Sequence, residues 1–236
     1  MRKLFFLPLF FTVIQLIAGC TKQSDRGYTS TPINDTLNKS YLALGDSYTI
    51  GQSVAAADRF PAQAISMAAS GGIAFSAPEY IAVTGWTTRN LLNAISNNPP
   101  TRSTYDFVSL LIGVNNQYQG RSQAEYRTEF NELLSIAIRY AGNRPSRVAV
   151  LSIPDWGATP FANGQDTALI KKQIDSFNVI NKQITLSYGV QYIDITPSTM
   201  MALTDPSLVA NDGLHPSGKE YKKWATLLAA FMKTVL

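Results

Sequence analysis

The sequence predicts an α/β fold in which helices cover both faces of a parallel sheet. Strand-like apolar stretches alternate with helical stretches along most of the chain, which is typical of this fold class. One of them, Phe-Val-Ser-Leu-Leu-Ile at 107–112, is almost continuously apolar, as expected for a strand buried on both faces. With 236 residues, 45% apolar and 15% charged, the chain can bury one sizeable core. We therefore expect one domain, organised in three α/β/α layers.

Residues 1–19 are predicted to be an export signal rather than a part of the fold. Arg2 and Lys3 precede an apolar stretch at 4–17 that is short for a membrane-spanning helix and has the layout of a signal peptide. It ends in Ile-Ala-Gly-Cys, with the cysteine at position 20, and this ending resembles the lipobox of bacterial lipoproteins. The resemblance implies that Cys20 is lipidated and becomes the first mature residue. The alternatives are a plain signal peptide or a buried helix with an incidental cysteine.

The segment after the signal is predicted to be a flexible tether. Residues 20–39 are rich in Ser, Thr, Asn and Asp and show neither helical nor strand periodicity. Acyl chains on Cys20 would anchor the protein to a membrane, in the bacterial cell envelope and outside the cytoplasm. In well-studied bacterial lipoproteins, an aspartate directly after the lipidated cysteine resembles an inner-membrane retention signal. This sequence has Thr21 at that position, which favours the outer membrane. Because Cys20 is the only cysteine, the sequence predicts no internal disulfide. A lipidated Cys20 would not be available as a catalytic thiol.

Charge and metal-ligating residues exclude several classes of function. The formal net charge is +4, and Arg2 and Lys3 of the export signal supply two of those charges. The remainder is too small to indicate a nucleic-acid partner. One histidine and one cysteine are too few for an ordinary zinc site, so we expect no metal and no cofactor.

Residues 40–236 carry the strand and helix pattern of the predicted domain. The predicted strands are 41–44, 79–84, 105–112, 147–153 and 190–195, and the predicted helices are 61–69, 89–96, 122–140, 165–187 and 216–233. In open parallel sheets ligands bind outside the carboxyl ends of the strands. The loops that follow the strands are therefore where functional residues are expected.

Ser47 is the candidate nucleophile. The apolar run at 41–44 stops at Gly-Asp-Ser, which is how a buried strand delivers a small polar residue to the edge of a sheet. The alternative is an ordinary turn in which the serine caps the next helix.

His215 is the candidate base, because it is the only histidine in the sequence. A serine hydroxyl becomes a good nucleophile when a base takes its proton. Asp212, three residues earlier, can accept from the ring Nδ1 and leave Nε2 free for Ser47. The segment 213–219 has the Gly and Lys spacing of a phosphate-binding loop, but Glu220 stands where Ser or Thr is required. There is also no Gly-x-Ser-x-Gly motif.

Four short motifs in order resemble the conserved blocks of the GDSL or SGNH hydrolase family of esterases and lipases. They are Gly45-Asp46-Ser47, the glycine of Thr84-Gly85, Gly113-x-Asn115 and Asp212-x-x-His215. The resemblance implies a flavodoxin-like fold with a five-stranded parallel sheet. It implies Ser47 as nucleophile, His215 as base and Asp212 as its orienting acid. It also implies an oxyanion hole made by the backbone N–H groups of Ser47 and Gly85 and the side-chain amide of Asn115, with Asp46 in a structural role.

The third block departs from the family pattern at one position. The family often has Gly-x-Asn-Asp there, whereas this sequence has Asn116 in place of the Asp. Since Asn115 would be the donor to the oxyanion, we expect a change in local loop bonding rather than a loss of catalysis.

The sequence therefore predicts a lipid-anchored serine esterase or lipase whose substrate is a lipid, an acylated carbohydrate or a small metabolite. Tyr48, Trp86 and Tyr118 adjoin the motif loops and are candidates for a substrate pocket. Two alternatives remain: a lipoprotein that binds a glycan or lipid without turnover, and an O-acyltransferase that uses the same residues. Labelling of Ser47 by a fluorophosphonate distinguishes the first alternative from an enzyme, and product analysis with a sugar acceptor distinguishes the second from a hydrolase.

Overall fold

The computed structural model describes residues 38–236. Cys20, the predicted signal 1–19 and nearly all of the predicted tether 20–39 lie outside the described residues. The strands are β1 Tyr41–Gly45, β2 Glu79–Ala82, β3 Phe107–Leu111, β4 Val148–Leu151 and β5 Gln191–Ile193. The α-helices are α1 Ser47–Ile50, α2 Phe60–Ala69, α3 Thr88–Asn97, α4 Val114–Tyr118, α5 Gln123–Tyr140, α6 Thr167–Ser187, α7 Thr196–Thr199 and α8 Gly218–Val235.

The five strands form one sheet in the order β2-β1-β3-β4-β5, and every pair is parallel. All residues of β1 and β3 are buried, which requires that both faces of the sheet be covered. α2 packs against α8, while α5 packs against α3 and α6. The predicted α/β/α fold with a five-stranded parallel sheet is confirmed.

Each predicted strand and each predicted helix corresponds to an observed element, with differences at the ends. The last helix was predicted to begin at Pro216, but α8 begins two residues later. Ser217 caps it by accepting from the N–H of Glu220, and Pro216 instead forms a bridge with Val209. The short helices α1, α4 and α7 were not predicted, because four or five residues are too few to show a helical period.

The strand order reverses direction once, at β1. From β1 the chain moves to β2 on one side and then to β3 on the other side. The loops that follow β1 and β3 therefore diverge and leave a crevice at the carboxyl ends of these strands. Ser47 follows β1 and Asn115 follows β3, so the fold brings these two residues to the same crevice.

The chain enters the domain at the amino ends of the strands, opposite the crevice at their carboxyl ends. Lys39, two residues before β1, forms a parallel bridge with Phe75, in which the N–H of Lys39 donates to the carbonyl of Ala74 at 2.8 Å. None of the helices within residues 38–236 combines the length and the apolar character that crossing a membrane requires.

Candidate active site

Ser47 is held at the carboxyl edge of the sheet by the tight turn after β1. A Cβ atom at Gly45 would lie 2.3 Å from the carbonyl oxygen of Leu111 on β3, so the close approach of these strands requires glycine. Asp46 then caps α1, accepting from the N–H of Tyr48 at 3.0 Å. Ser47 is the first residue of α1, where a backbone N–H has no acceptor within the helix. That N–H group is therefore available to a ligand.

Asp46 and Asp212 lie in different surroundings. Asp46 is 1% exposed, and burial raises its pKa to about 7 although the N–H of Tyr48 acts in the opposite direction. Its hydrogen bond is to the backbone of α1, whereas Asp212 bonds to the imidazole of His215. The geometry thus gives Asp46 a capping contact and gives Asp212 the contact with His215, the candidate base.

Four donors surround the carboxylate of Asp212. The backbone N–H groups of Leu214 and His215 donate to Oδ1, each at 2.9 Å. The hydroxyl of Ser53 donates to Oδ2 at 2.6 Å, and His215 Nδ1 lies 2.6 Å from the same oxygen. Partial burial acts to raise the pKa of Asp212, but these hydrogen bonds outweigh it and hold the pKa well below its usual range. Asp212 is therefore an ionised acceptor that fixes the imidazole.

The ring of His215 lies against Tyr48. The ring centroids are 5.1 Å apart, and the two side chains are almost completely buried. Burial raises the pKa of the Tyr48 phenol well above its usual value, and the negative charges of Asp46 and Asp212 add to this effect. Tyr48 is consequently a neutral support for one face of the imidazole.

The loop after β2 and helix α4 supply candidate donors to an oxyanion. Gly85 has φ of +81°, in the left-handed region that favours glycine. Its carbonyl accepts from Gln119 Nε2 at 3.0 Å. Asn115 Nδ2 donates to the carbonyl of Trp86 at 3.0 Å. Since an amide nitrogen carries two hydrogens, the second N–H of Asn115 can reach another acceptor.

Asn116 joins α4 to the beginning of α3. Its Oδ1 accepts from the N–H of Thr88 at 3.0 Å, and its Nδ2 donates to Thr88 Oγ1 at 2.7 Å. The hydroxyl of Thr88 in turn donates to Glu129 on α5. An ionised aspartate at this position would be unable to donate to Thr88, so this hydrogen bond depends on the amide of Asn116.

One cleft of about 140 Å³ collects most of the residues predicted from the sequence. It is lined by Ser47, Tyr48, Thr84, Gly85, Val114, Asn115, Tyr118, Trp156, Phe161, Leu214 and His215. Asp212 lies behind His215 and reaches the cleft through the imidazole. No hydrogen bond joins Ser47 to His215 within residues 38–236, and catalytic contacts of this kind often tighten only when substrate binds.

Trp86 does not line this cleft. Its ring is partly buried against the hydrophobic core, and its carbonyl holds Asn115. Two other aromatic residues, Trp156 and Phe161, form the cleft wall beside Tyr118, with ring centroids 5.4 and 6.2 Å from that of Tyr118. They follow the fourth strand, and their position in a loop after a strand was the signal that could have identified them.

Trp156 is buried and held by a hydrogen bond, whereas Tyr118 and Phe161 beside it are exposed to solvent. Its indole N–H donates to Gln117 Oε1 at 2.7 Å, and only 6% of the residue is exposed. Tyr118 and Phe161 are 57% and 46% exposed. Among the described residues, no group of three or more His, Cys, Asp and Glu side chains is arranged to hold a metal ion.

Comparison with known families identifies a match over most of the chain. The profile of the GDSL-like Lipase/Acylhydrolase family matches residues 43–223. This range includes Ser47, Gly85, Asn115, Asp212 and His215. No curated protein matches the chain.

Several solved structures have a similar fold. A lipase/acylhydrolase from Enterococcus faecalis is 19% identical, with a TM-score of 0.64 over 83% of this chain and 96% of that one. TesA is 15% identical, with a TM-score of 0.61 over 84% of this chain and 100% of that one. Axe2, an acetylxylan esterase from Geobacillus stearothermophilus, is 18% identical, with a TM-score of 0.61 over 83% of this chain and 95% of that one. At these identities the similarity shows a common fold.

Proposed function

The chain belongs to the GDSL-like lipase/acylhydrolase family, and from this premise we propose that it is a serine hydrolase that cleaves carboxylic esters through an acyl-Ser47 intermediate. Membership of this family supports hydrolysis of esters in general. The observation that carries the specific proposal is the contact of 2.6 Å between Asp212 and His215 in a cleft that His215 shares with Ser47.

In the proposed first step, Ser47 Oγ attacks the ester carbonyl while His215 Nε2 takes the hydroxyl proton. Asp212 holds the proton on Nδ1 and stabilises the imidazolium that forms. The imidazolium then gives its proton to the leaving alcohol, so the products are the alcohol and acyl-Ser47. In the second step His215 takes a proton from water, the water oxygen attacks the acyl carbon, and the carboxylic acid leaves as Ser47 regains its proton.

Negative charge develops on the former carbonyl oxygen in both steps. The donors proposed for it are the N–H groups of Ser47 and Gly85 and the free N–H of Asn115. The hydrogen bonds from Gln119 to Gly85 and from Asn115 to Trp86 support this assignment, because they fix the two loops before substrate arrives. Donors that are fixed in advance stabilise charge without reorganisation during the reaction.

The acyl group is proposed to lie along the apolar wall formed by Val114, Tyr118, Trp156, Phe161 and Leu214. The cleft volume of about 140 Å³ supports a short to medium chain. A cavity of similar size, roughly 150 Å³, holds one benzene molecule. By that measure the cleft accommodates about six carbons, and a palmitoyl chain would extend into solvent.

The most direct test uses p-nitrophenyl esters from acetate to palmitate, with the purified full chain in detergent. We expect hydrolysis that is greatest near hexanoate and is abolished in Ser47→Ala. Ser66→Ala is the matched control, because Ser66 is an exposed serine of α2 outside the cleft. Undiminished activity in Ser47→Ala would contradict the serine mechanism. Absence of activity in the folded wild type would favour a binding protein, and transfer to an added sugar would favour an acyltransferase.

We also propose that the enzyme works at the bacterial cell envelope, attached through a lipid on Cys20. The Ile-Ala-Gly-Cys ending of the predicted signal supports this proposal, because it resembles a lipobox. Lys39 precedes β1 and thus lies at the amino ends of the strands, away from the cleft at their carboxyl ends. Incorporation of a radioactive fatty acid tests this proposal: the wild type expressed in bacteria should carry the label and Cys20→Ser should not. Equal labelling of the two proteins, or no label on the wild type, would contradict lipidation of Cys20.

A further inference from the structure

A buried chain of hydrogen bonds connects the two loops that carry the proposed oxyanion donors. Asn116 Nδ2 donates to Thr88 Oγ1 at 2.7 Å, and the hydroxyl of Thr88 donates to Glu129. Asn116 and Thr88 are fully buried, and Glu129 is 1% exposed. Arg89, whose side chain is 56% exposed, forms an ion pair with the other oxygen of this carboxylate, with Nη2 2.7 Å from Glu129 Oε1. The chain thus runs from α4 through the first turn of α3 to α5.

Glu129 fixes the direction of donation along this hydrogen-bond chain. A carboxylate paired with arginine can only accept, so the hydroxyl hydrogen of Thr88 points to Glu129. The remaining lone pairs of Thr88 Oγ1 then require a donor, and the amide of Asn116 supplies it. The N–H of Thr88 fixes the other end of that amide by donating to Oδ1 at 3.0 Å. The amide of Asn116 therefore has one orientation.

The positions of these residues in the amino-acid sequence connect them to the loops that line the cleft. Asn116 adjoins Asn115, and Thr88 lies three residues after Gly85. Between them, Asn115 Nδ2 donates to the carbonyl of Trp86. A shift of Asn116 relative to Thr88 would consequently change the distance between the proposed donors at 85 and 115.

We infer that Asn116, Thr88 and Glu129 are positioning residues that hold Asn115 and Gly85 at the separation needed to bind an oxyanion. This inference rests on the proposed function. None of the three side chains lines the cleft, so their effect passes through the loops. A misplacement of about 1 Å at a catalytic group can cost on the order of 10²-fold in rate.

The test uses two substitutions that together reverse the direction of donation along the hydrogen-bond chain. In Asn116→Asp, two carboxylates face one hydroxyl hydrogen, and one buried acceptor loses its donor. We expect kcat to fall on the order of 10²-fold with little change in KM, because the loss concerns the transition state. Adding Glu129→Gln restores a complete chain, in which the glutamine amide donates to Thr88 and Thr88 donates to the new carboxylate. The double variant should regain about tenfold or more of kcat although it carries one change more.

Glu132→Gln combined with Asn116→Asp is the matched control, because Glu132 is exposed on the same helix. It should not regain activity. Thermal unfolding of all variants measures the stability contributed by the hydrogen-bond chain independently of turnover. The unfolding midpoint should fall in Asn116→Asp and should recover only when Glu129→Gln is added.

The outcomes separate this inference from the proposed function. An active wild type whose kcat is unaffected by Asn116→Asp, or an equal recovery with Glu129→Gln and Glu132→Gln, would overturn the positioning role and leave the esterase intact. Recovery of the unfolding midpoint without recovery of kcat would reduce these residues to a structural role. A wild type without Ser47-dependent hydrolysis would overturn both.

Discussion

Asp212 accepts three hydrogen bonds in addition to the one from the imidazole of His215. Ser53, two backbone N–H groups and the imidazole of His215 all donate to it. Each donor stabilises the ionised carboxylate, which explains why its pKa lies well below the usual range. A carboxylate fixed in this way determines which nitrogen of His215 carries the proton and therefore which nitrogen can serve as a base.

Asp212→Asn tests this role at the scale of one residue. The amide can donate to Nδ1 and thereby favour the tautomer that cannot accept from Ser47, so we expect kcat to fall by roughly 10³–10⁴-fold. Steady-state hydrolysis of p-nitrophenyl hexanoate measures it. Asp205→Asn is the control, because Asp205 is partly exposed, pairs with Lys219 and does not line the cleft. Comparable kcat values in the two variants would exclude Asp212 as the orienting acid.

Asn115→Ala tests the side-chain donor to the oxyanion. Removal of one such donor should lower kcat by roughly 10²–10³-fold and leave KM nearly unchanged. Asn93→Ala, an exposed change on α3, provides the comparison. A rise in KM at constant kcat would instead assign Asn115 to binding of the ground state.

Among the secondary-structure elements, α1 depends most on its ends. A helix of four residues is too short to be stable by itself. It is held by the Asp46 cap at one end and by Gly51 at the other, where φ is +64° and the N–H donates to the carbonyl of Ser47. The conformation of Ser47 therefore depends on a buried aspartate whose pKa is raised.

Asp46→Asn tests the charge of that cap. Because the folded pKa is about 7 against an ordinary value of 3.8, the folded protein binds more protons than the unfolded chain between these values. The stability contributed by this proton is fully present below about pH 4 and is lost as pH rises through about 7, by up to about 4 kcal/mol. Asparagine caps helices equally well and does not ionise.

Urea unfolding of both proteins across this pH range gives the measurement. The free energy of unfolding of the wild type, relative to that of Asp46→Asn, should decrease as the pH is raised. A difference that stays constant from about pH 4 to pH 8 would show that burial does not raise the pKa of Asp46.

The loop after β4 determines the apolar wall of the cleft. Phe161 is partly exposed and contacts Tyr118 and Trp156, so its loss removes contact area for a longer chain but little for acetate. We expect Phe161→Ala to lower kcat/KM for the hexanoyl ester by about tenfold and to leave the acetyl ester nearly unchanged. Leu186→Ala, an exposed apolar change on α6, is the control. An equal decrease for both esters would argue against an acyl-binding role.

At the scale of the whole molecule, the fold and the grouping of most candidate site residues in one cleft were predictable because both follow from local signals. Buried parallel strands are continuously apolar, and the strand reversal brings the loops after β1 and β3 together. The loops that carry Ser47, Gly85 and Asn115 therefore lie together, since each follows a strand. Only one histidine was available for the role of base.

The remaining features depend on contacts that no local pattern encodes. Ser53 lies 159 positions before Asp212 and has φ of +66°, a conformation that serine rarely adopts. Glu129 occupies an ordinary helical position, and its burial against Thr88 appears only when α3 and α5 pack together. Such residues are determined by the tertiary structure rather than by spacing along the chain.

We propose that Ser47 is a nucleophile activated by the neighbouring His215. A fluorophosphonate reacts with an activated serine, displacing fluoride and leaving a covalent adduct. Mass spectrometry of the labelled, digested protein should find one adduct per chain, on Ser47, with none in Ser47→Ala and a much slower reaction in His215→Ala. A folded wild type that hydrolyses esters yet carries no adduct on Ser47, or carries it on another residue, would show that Ser47 is not the nucleophile.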